Sequence, residues 1–128
     1  MKKISIILIV TFLMGSTNSY LYSEVTKVST LKYVGSFGTL IQVYQESVFD
    51  ALLEKLFNKK TLSKIEPFKP KKEIENTVLD QINNELNDYN LAFGDLFMCK
   101  FTIENMNIVA LVLIYGTLKP TIRYYYMR

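Results

Sequence analysis

The stretch that decides the fold is LFMCKFTIENMNIVALVLIYG, residues 96–116. Leu96 to Glu104 and Asn107 to Gly116 read as two strands. Glu104, Asn105, Met106 and Asn107 supply the turn of an antiparallel hairpin. Ile108 to Tyr115 contains no polar residue apart from the Tyr hydroxyl. A strand apolar on both faces must be covered on both, as a central strand or as a core strand of a dimer. It is also far shorter than the ~20 apolar residues of a spanning helix.

Downstream, Pro120 interrupts and TIRYYYMR, residues 121–128, closes the chain as an edge strand, where a proline costs little pairing. Upstream, Glu73 to Asn90 reads as a helix. Ile74, Val78, Ile82, Leu86 and Tyr89 form its apolar stripe, and Glu73 and Glu75 favour its N-terminus. Gln42 to Lys59 reads as another helix, with Ile41, Tyr44, Val48, Leu52 and Leu56 on one side, widened by Ala51, Leu53 and Phe57. Between them, Pro67 and Pro70 keep Thr61 to Lys72 from being helical, leaving room for a short extended piece. Glu24 to Val34 is a further strand, ended by GSFG at residues 35–38. The expected fold is α+β, in the order β-α-α-β-β-β, with two helices packed on one face of a small antiparallel sheet.

The N-terminus predicts the address. Lys2 and Lys3 precede an apolar core from Ile4 to Met14, and Gly15 to Ser19 are all small or polar. That is the pattern of a secretory signal peptide. Thr17 and Ser19, two apart, place cleavage after Ser19, leaving residues 20–128 as one α+β domain. Leu13-Met14-Gly15-Ser16 resembles the exit of a lipoprotein signal, but Ser16 stands where a lipid-bearing cysteine would be. The expected product is exported, periplasmic or secreted, and not lipidated.

Composition narrows the chemistry. At 49% hydrophobic, the chain can build a core and is not of the disordered class. Its net charge of +3 falls to about +1 without Lys2 and Lys3, which gives no argument for nucleic acid. Histidine is absent, which removes imidazole bases, Ser-His-Asp and Cys-His schemes and most zinc or haem ligation. The lone Cys99, inside LFMCKF, reads as a buried core thiol. No nucleotide-binding loop or calcium loop occurs. No cofactor and no metal site is expected, nor a catalytic set. Glu46, Asp50 and Glu54 stand one helical turn apart, a spacing common on solvated faces.

Two features are candidate contact surfaces. Lys59, Lys60, Lys64, Lys69, Lys71 and Lys72 share one connector with a single acid, Glu66, and suit an anionic membrane or envelope surface. The plainer reading is a solvated loop offsetting the acidic stretch from Glu73 to Met98. Tyr124, Tyr125 and Tyr126, with Arg128, suit an edge strand that pairs with a protein partner or a second copy. The plainer reading is aromatics covering the core. In a strand, Tyr124 and Tyr126 share one face and Tyr125 takes the other. The sequence therefore reads as a small exported envelope protein that acts by binding or assembly. The alternatives are a periplasmic enzyme using Ser/Lys or carboxylates, and an effector associating with membrane surfaces.

Overall fold

The computed structural model describes residues 28–115 and 119–128. The export pattern and the first residues of the expected N-terminal strand lie outside the described residues. Within them the chain is α+β, built on a five-stranded antiparallel sheet.

The hairpin forms as β3 (Asp95–Ile103) and β4 (Met106–Tyr115), used here with β1 (Lys32–Ser36), β2 (Ile65–Phe68) and β5 (Lys119–Met127). Leu96 faces Leu113 at one end of the hairpin, and Ile103 faces Met106 at the other. The turn is tighter than the four residues expected from sequence. Only Glu104 and Asn105 lie outside the strands, with φ of 47° and 72°. Two positive φ values match the right-handed twist of the flanking strands.

β5 pairs with β4 along its whole length, from Asn107 opposite Met127 to Tyr115 opposite Lys119. β5 is not an edge strand. The proline-bearing connector contributes the short strand β2, which pairs with the outer side of β5, and the strand order is β1-β3-β4-β5-β2. Pro67 sits in β2, the true edge, opposite Tyr125. Pro120 sits one residue into β5, opposite Ile114.

The helices are α1 (Gly38–Tyr44), a 3₁₀ turn (Gln45–Ser47), α2 (Val48–Leu56), α3 (Lys59–Leu62) and α4 (Lys72–Leu86). The expected single helix over Gln42 to Lys59 is thus broken twice. Gln45 leaves helical geometry at φ 48°, and Phe57 is extended at φ −128°. The first break shifts the helical phase, so Tyr44 is exposed while Phe49, outside the expected stripe, is buried. α4 keeps Val78, Ile82 and Leu86 in its stripe but ends before Asn90.

The helices do not share one face of the sheet, and here the sequence reading is corrected. Ile41, Val48, Phe49 and Leu52 pack with Leu96, Val109, Leu111, Leu113 and Tyr125. Val78, Ile82 and Leu86 pack with Phe97, Cys99, Phe101, Ile108, Val112 and Tyr124 on the opposite face. The cause is β4 itself, buried at every position from Ile108 to Ile114. Each buried Leu, Ile, Val or Phe contributes roughly 1.5–3 kcal/mol relative to exposure. A helical layer on one face alone would leave half of that strand in water.

Two local devices fix the ends of the layers. Gly94 has φ 92°, and a Cβ there would lie 2.6 Å from the Cα of Gly38. The pair of glycines brings the start of α1 against the start of β3. Gln81 and Glu85, one turn apart on α4, hold the entry segment. Gln81 Nε2 donates to the Val28 carbonyl at 3.0 Å, and the Leu31 amide donates to Glu85 Oε1 at 2.6 Å. Gln81 Nε2 also donates to Glu85 Oε2 at 2.9 Å.

Candidate functional site

The six connector lysines are all exposed, but they do not form one cluster. Lys59 and Lys60 lie in α3, and Lys64 precedes β2. Lys69, Lys71 and Lys72 follow β2 on the way into α4. The four residues of β2 span about 13 Å, so the lysines form two groups at its two ends. A proline in an edge strand and lysines flanking it discourage pairing with another chain, which gives these residues a structural role without a ligand.

The tyrosines face as alternation predicts. Tyr124 lies among the α4-side core, its ring edge-on to Phe101 at 6.2 Å, and Tyr126 packs on the same side. Tyr125 lies on the α1–α2 side. Tyr124 and Tyr125 are buried within this chain, and β2 occupies the strand edge that a partner would need. Burial pushes the Tyr124 hydroxyl up to about 12, with Glu75 and Cys99 adding to the rise. Arg128 is engaged in holding β2. Its Nε meets Glu66 at 3.1 Å, its Nη2 donates to the Ser63 carbonyl, and its backbone amide donates to the Lys64 carbonyl.

Cys99 is buried, and its thiol is pushed up to about 12 by burial and by the charge of Glu85. No thiolate forms there near neutral pH. Glu46, Asp50 and Glu54 are exposed. Among the described residues no group of three His, Cys, Asp or Glu could hold a metal ion.

The more informative surface was not singled out by the sequence. It lies at the end of the sheet where β3 and β5 begin and β4 ends, the end opposite the Glu104–Asn105 turn. The exposed large apolar side chains there are Tyr33, Val43, Tyr44, Tyr89, Phe93 and Tyr115, between 37% and 67% exposed. Phe93 and Tyr115 stand with ring centroids 6.3 Å apart, and Tyr33 and Tyr89 both pack edge-on against Phe97. α1 crosses this end. It starts where the Phe37 amide bonds the Gly94 carbonyl, and it finishes at Gln45, which shares a cleft with Tyr115.

That cleft, of about 370 Å³, lies on the α1–α2 side of the sheet. Thr121 and Arg123 rise from β5 as its floor, Val48 and Phe49 form one wall, and Gln45 and Glu46 form the lip. The Arg123 guanidinium lies 4.9 Å from the Phe49 ring centroid, a cation–π placement. Sequence reasoning missed this site because its residues come from three distant segments, 45–49, 115 and 121–123. The helix break at Gln45 that opens the cleft has no glycine or proline to announce it.

Compared with known proteins, the chain matches no family model, no curated protein and no solved structure.

Proposed function

We propose that this chain is an exported envelope protein that acts by binding or assembly, and that its contact surface is the aromatic end of the sheet. One observation carries the second half of that reading. Six large apolar side chains are exposed towards one end of the sheet, Tyr33 and Tyr89 beside Phe97 on the α4 side and Tyr115 at the cleft on the other, while the opposite end carries Glu104, Asn105, Lys59, Lys60, Lys64 and Arg128. Grouped exposed apolar side chains cost solubility and are the mark of an interaction site. Tyrosine and phenylalanine are favoured at such sites because they bury a large area at a small cost in side-chain entropy. The Lys2–Ser19 pattern supports the first half.

A catalytic reading gains little support. The cleft holds one carboxylate, the exposed Glu46, and every described lysine side chain is exposed. Acid–base work needs paired groups whose surroundings drive their proton affinities apart. A membrane-surface reading needs lysines and aromatics on one side of the molecule, and the lysine groups flank β2 instead.

The test is the variant Phe93→Ser with Tyr115→Ser, examined by native electrophoresis of envelope extracts. The wild-type chain is expected in an assembly larger than the processed chain alone. The double variant is expected to run as the free chain with an unchanged melting curve. A wild-type chain that is free in every fraction, or an assembly unchanged by the variant, overturns the reading.

A further inference from the structure

The cleft above Arg123 shares only Tyr115 with the aromatic surface at its rim. On its face of β4 and β5, Val109, Leu111, Leu113 and Tyr125 lie in the core beneath α1 and α2, and Thr121 lies beside it in the cleft. Arg123 lies directly opposite Leu111, where the pattern calls for another apolar side chain. It is exposed because the helical cover is broken above it, at the turn from Gln45 to Ser47. Gln45 holds φ 48° and ψ −114°, a conformation that side-chain-bearing residues rarely adopt. Strain of this sort costs of order 1–3 kcal/mol and persists only where the surroundings enforce it, typically at a binding site.

The guanidinium carbon lies over the Phe49 ring at 4.9 Å, and Arg123 makes no salt bridge among the described residues. Two acids stand near it. Glu46 is at the lip, and Asp50 is close enough to Tyr125 to oppose the effect of Arg123 on that hydroxyl. Neither pairs with Arg123. A guanidinium over a ring and without a salt-bridge partner has N–H groups to offer, and its fork matches a carboxylate with two parallel hydrogen bonds. Phe49, Val48 and Tyr115 supply apolar contact beside it. A volume of about 370 Å³ is at the small end of ligand sites, and Glu46 at the lip disfavours a second negative charge.

We propose that this cleft binds a small monocarboxylate with an apolar body, its carboxylate on Arg123 and its apolar part against Phe49 and Tyr115. This goes beyond the assembly reading, because the ligand is a small molecule and the site is not needed for the aromatic rim to meet a partner.

The probes are phenylacetate, phenethylamine and inorganic phosphate, titrated into the purified chain and followed by amide chemical shifts. Phenylacetate is expected to shift Val48, Phe49, Thr121 and Arg123 saturably. Phenethylamine, with the opposite charge on a similar body, should bind at least tenfold more weakly. Arg123→Gln should weaken phenylacetate tenfold or more, and Arg123→Lys, which keeps the charge but not the fork, should also weaken it. Both variants change an exposed side chain and should melt as the wild type does. No saturable shift, shifts outside the cleft, or binding untouched by Arg123→Gln would overturn the proposal. So would phosphate displacing phenylacetate at equal concentration, which would mark a general anion site. Arg123→Gln should leave the migration of the native assembly unchanged, so the two readings fail separately.

Discussion

Cys99 and Tyr124 show how two buried strand positions, on either side of Ala110, set a response to pH. Both side chains lie on the α4 side of the sheet, and burial holds both in their neutral forms, each pushed up to about 12 from 9.0 and 10.0. In the unfolded chain they ionise at their ordinary values. The unfolded state therefore binds fewer protons than the native state above pH 9, and stability falls as pH rises. The stabilising preference is complete below about pH 9 and is lost progressively between 9 and about 12. Urea unfolding at stepped pH should show a falling midpoint across that window. Cys99→Ala should move the onset up towards 10, where Tyr124 takes over, and an onset unaffected by the substitution would contradict the assignment. Gly94 makes a second test at this scale. Its φ of 92° and its approach to Gly38 leave no room for a methyl group, so Gly94→Ala should cost about 2 kcal/mol or more. A urea midpoint equal to that of the wild type would show that the contact between α1 and β3 has been misread.

At the scale of elements, the hairpin and the α4 stripe were legible because their patterns are local. Ile108 to Tyr115 announced a strand covered on both faces, and Val78, Ile82 and Leu86 announced a helix. The sidedness of the helices was implicit in that same strand, because no single helical layer can cover both faces. What local pattern does not carry is pairing between distant segments. β2 is four residues long and contains a proline, so it has no signature of its own and exists because β5 offers it a partner. Its presence converts the expected C-terminal edge into an interior strand, and the helical layers on the two faces bury Tyr124 and Tyr125. The clasp of α4 on the entry segment is equally non-local. Gln81 and Glu85 look like ordinary polar residues of a helix until Val28 and Leu31 are laid across them. Removing the acceptor in Glu85→Ala should cost about 1–3 kcal/mol, because the Leu31 amide is left without its partner. Hydrogen exchange at Leu31 should speed up before the sheet loosens. Equal exchange in variant and wild type would mean that the clasp contributes nothing.

The whole molecule is polarised. One end of the sheet gathers exposed aromatics and the Arg123 cleft, and the other carries the tight turn and much of the exposed charge. None of this asymmetry was readable from composition, since the residues responsible are scattered from Tyr33 to Arg123. The address, by contrast, rests wholly on the first nineteen residues. Intact mass of the chain from fractionated cells should give a species beginning at Tyr20 outside the cytoplasm, and a cytoplasmic species beginning at Met1 would remove the envelope from the account. The aromatic contact surface is tested most directly by site-specific photo-crosslinking in living cells, with the reactive group placed in turn at Phe93, Tyr115, Lys60 and Glu104. A discrete adduct is expected from Phe93 and Tyr115 and none from Lys60 or Glu104. Adducts from the charged end alone, or from no position, would contradict it.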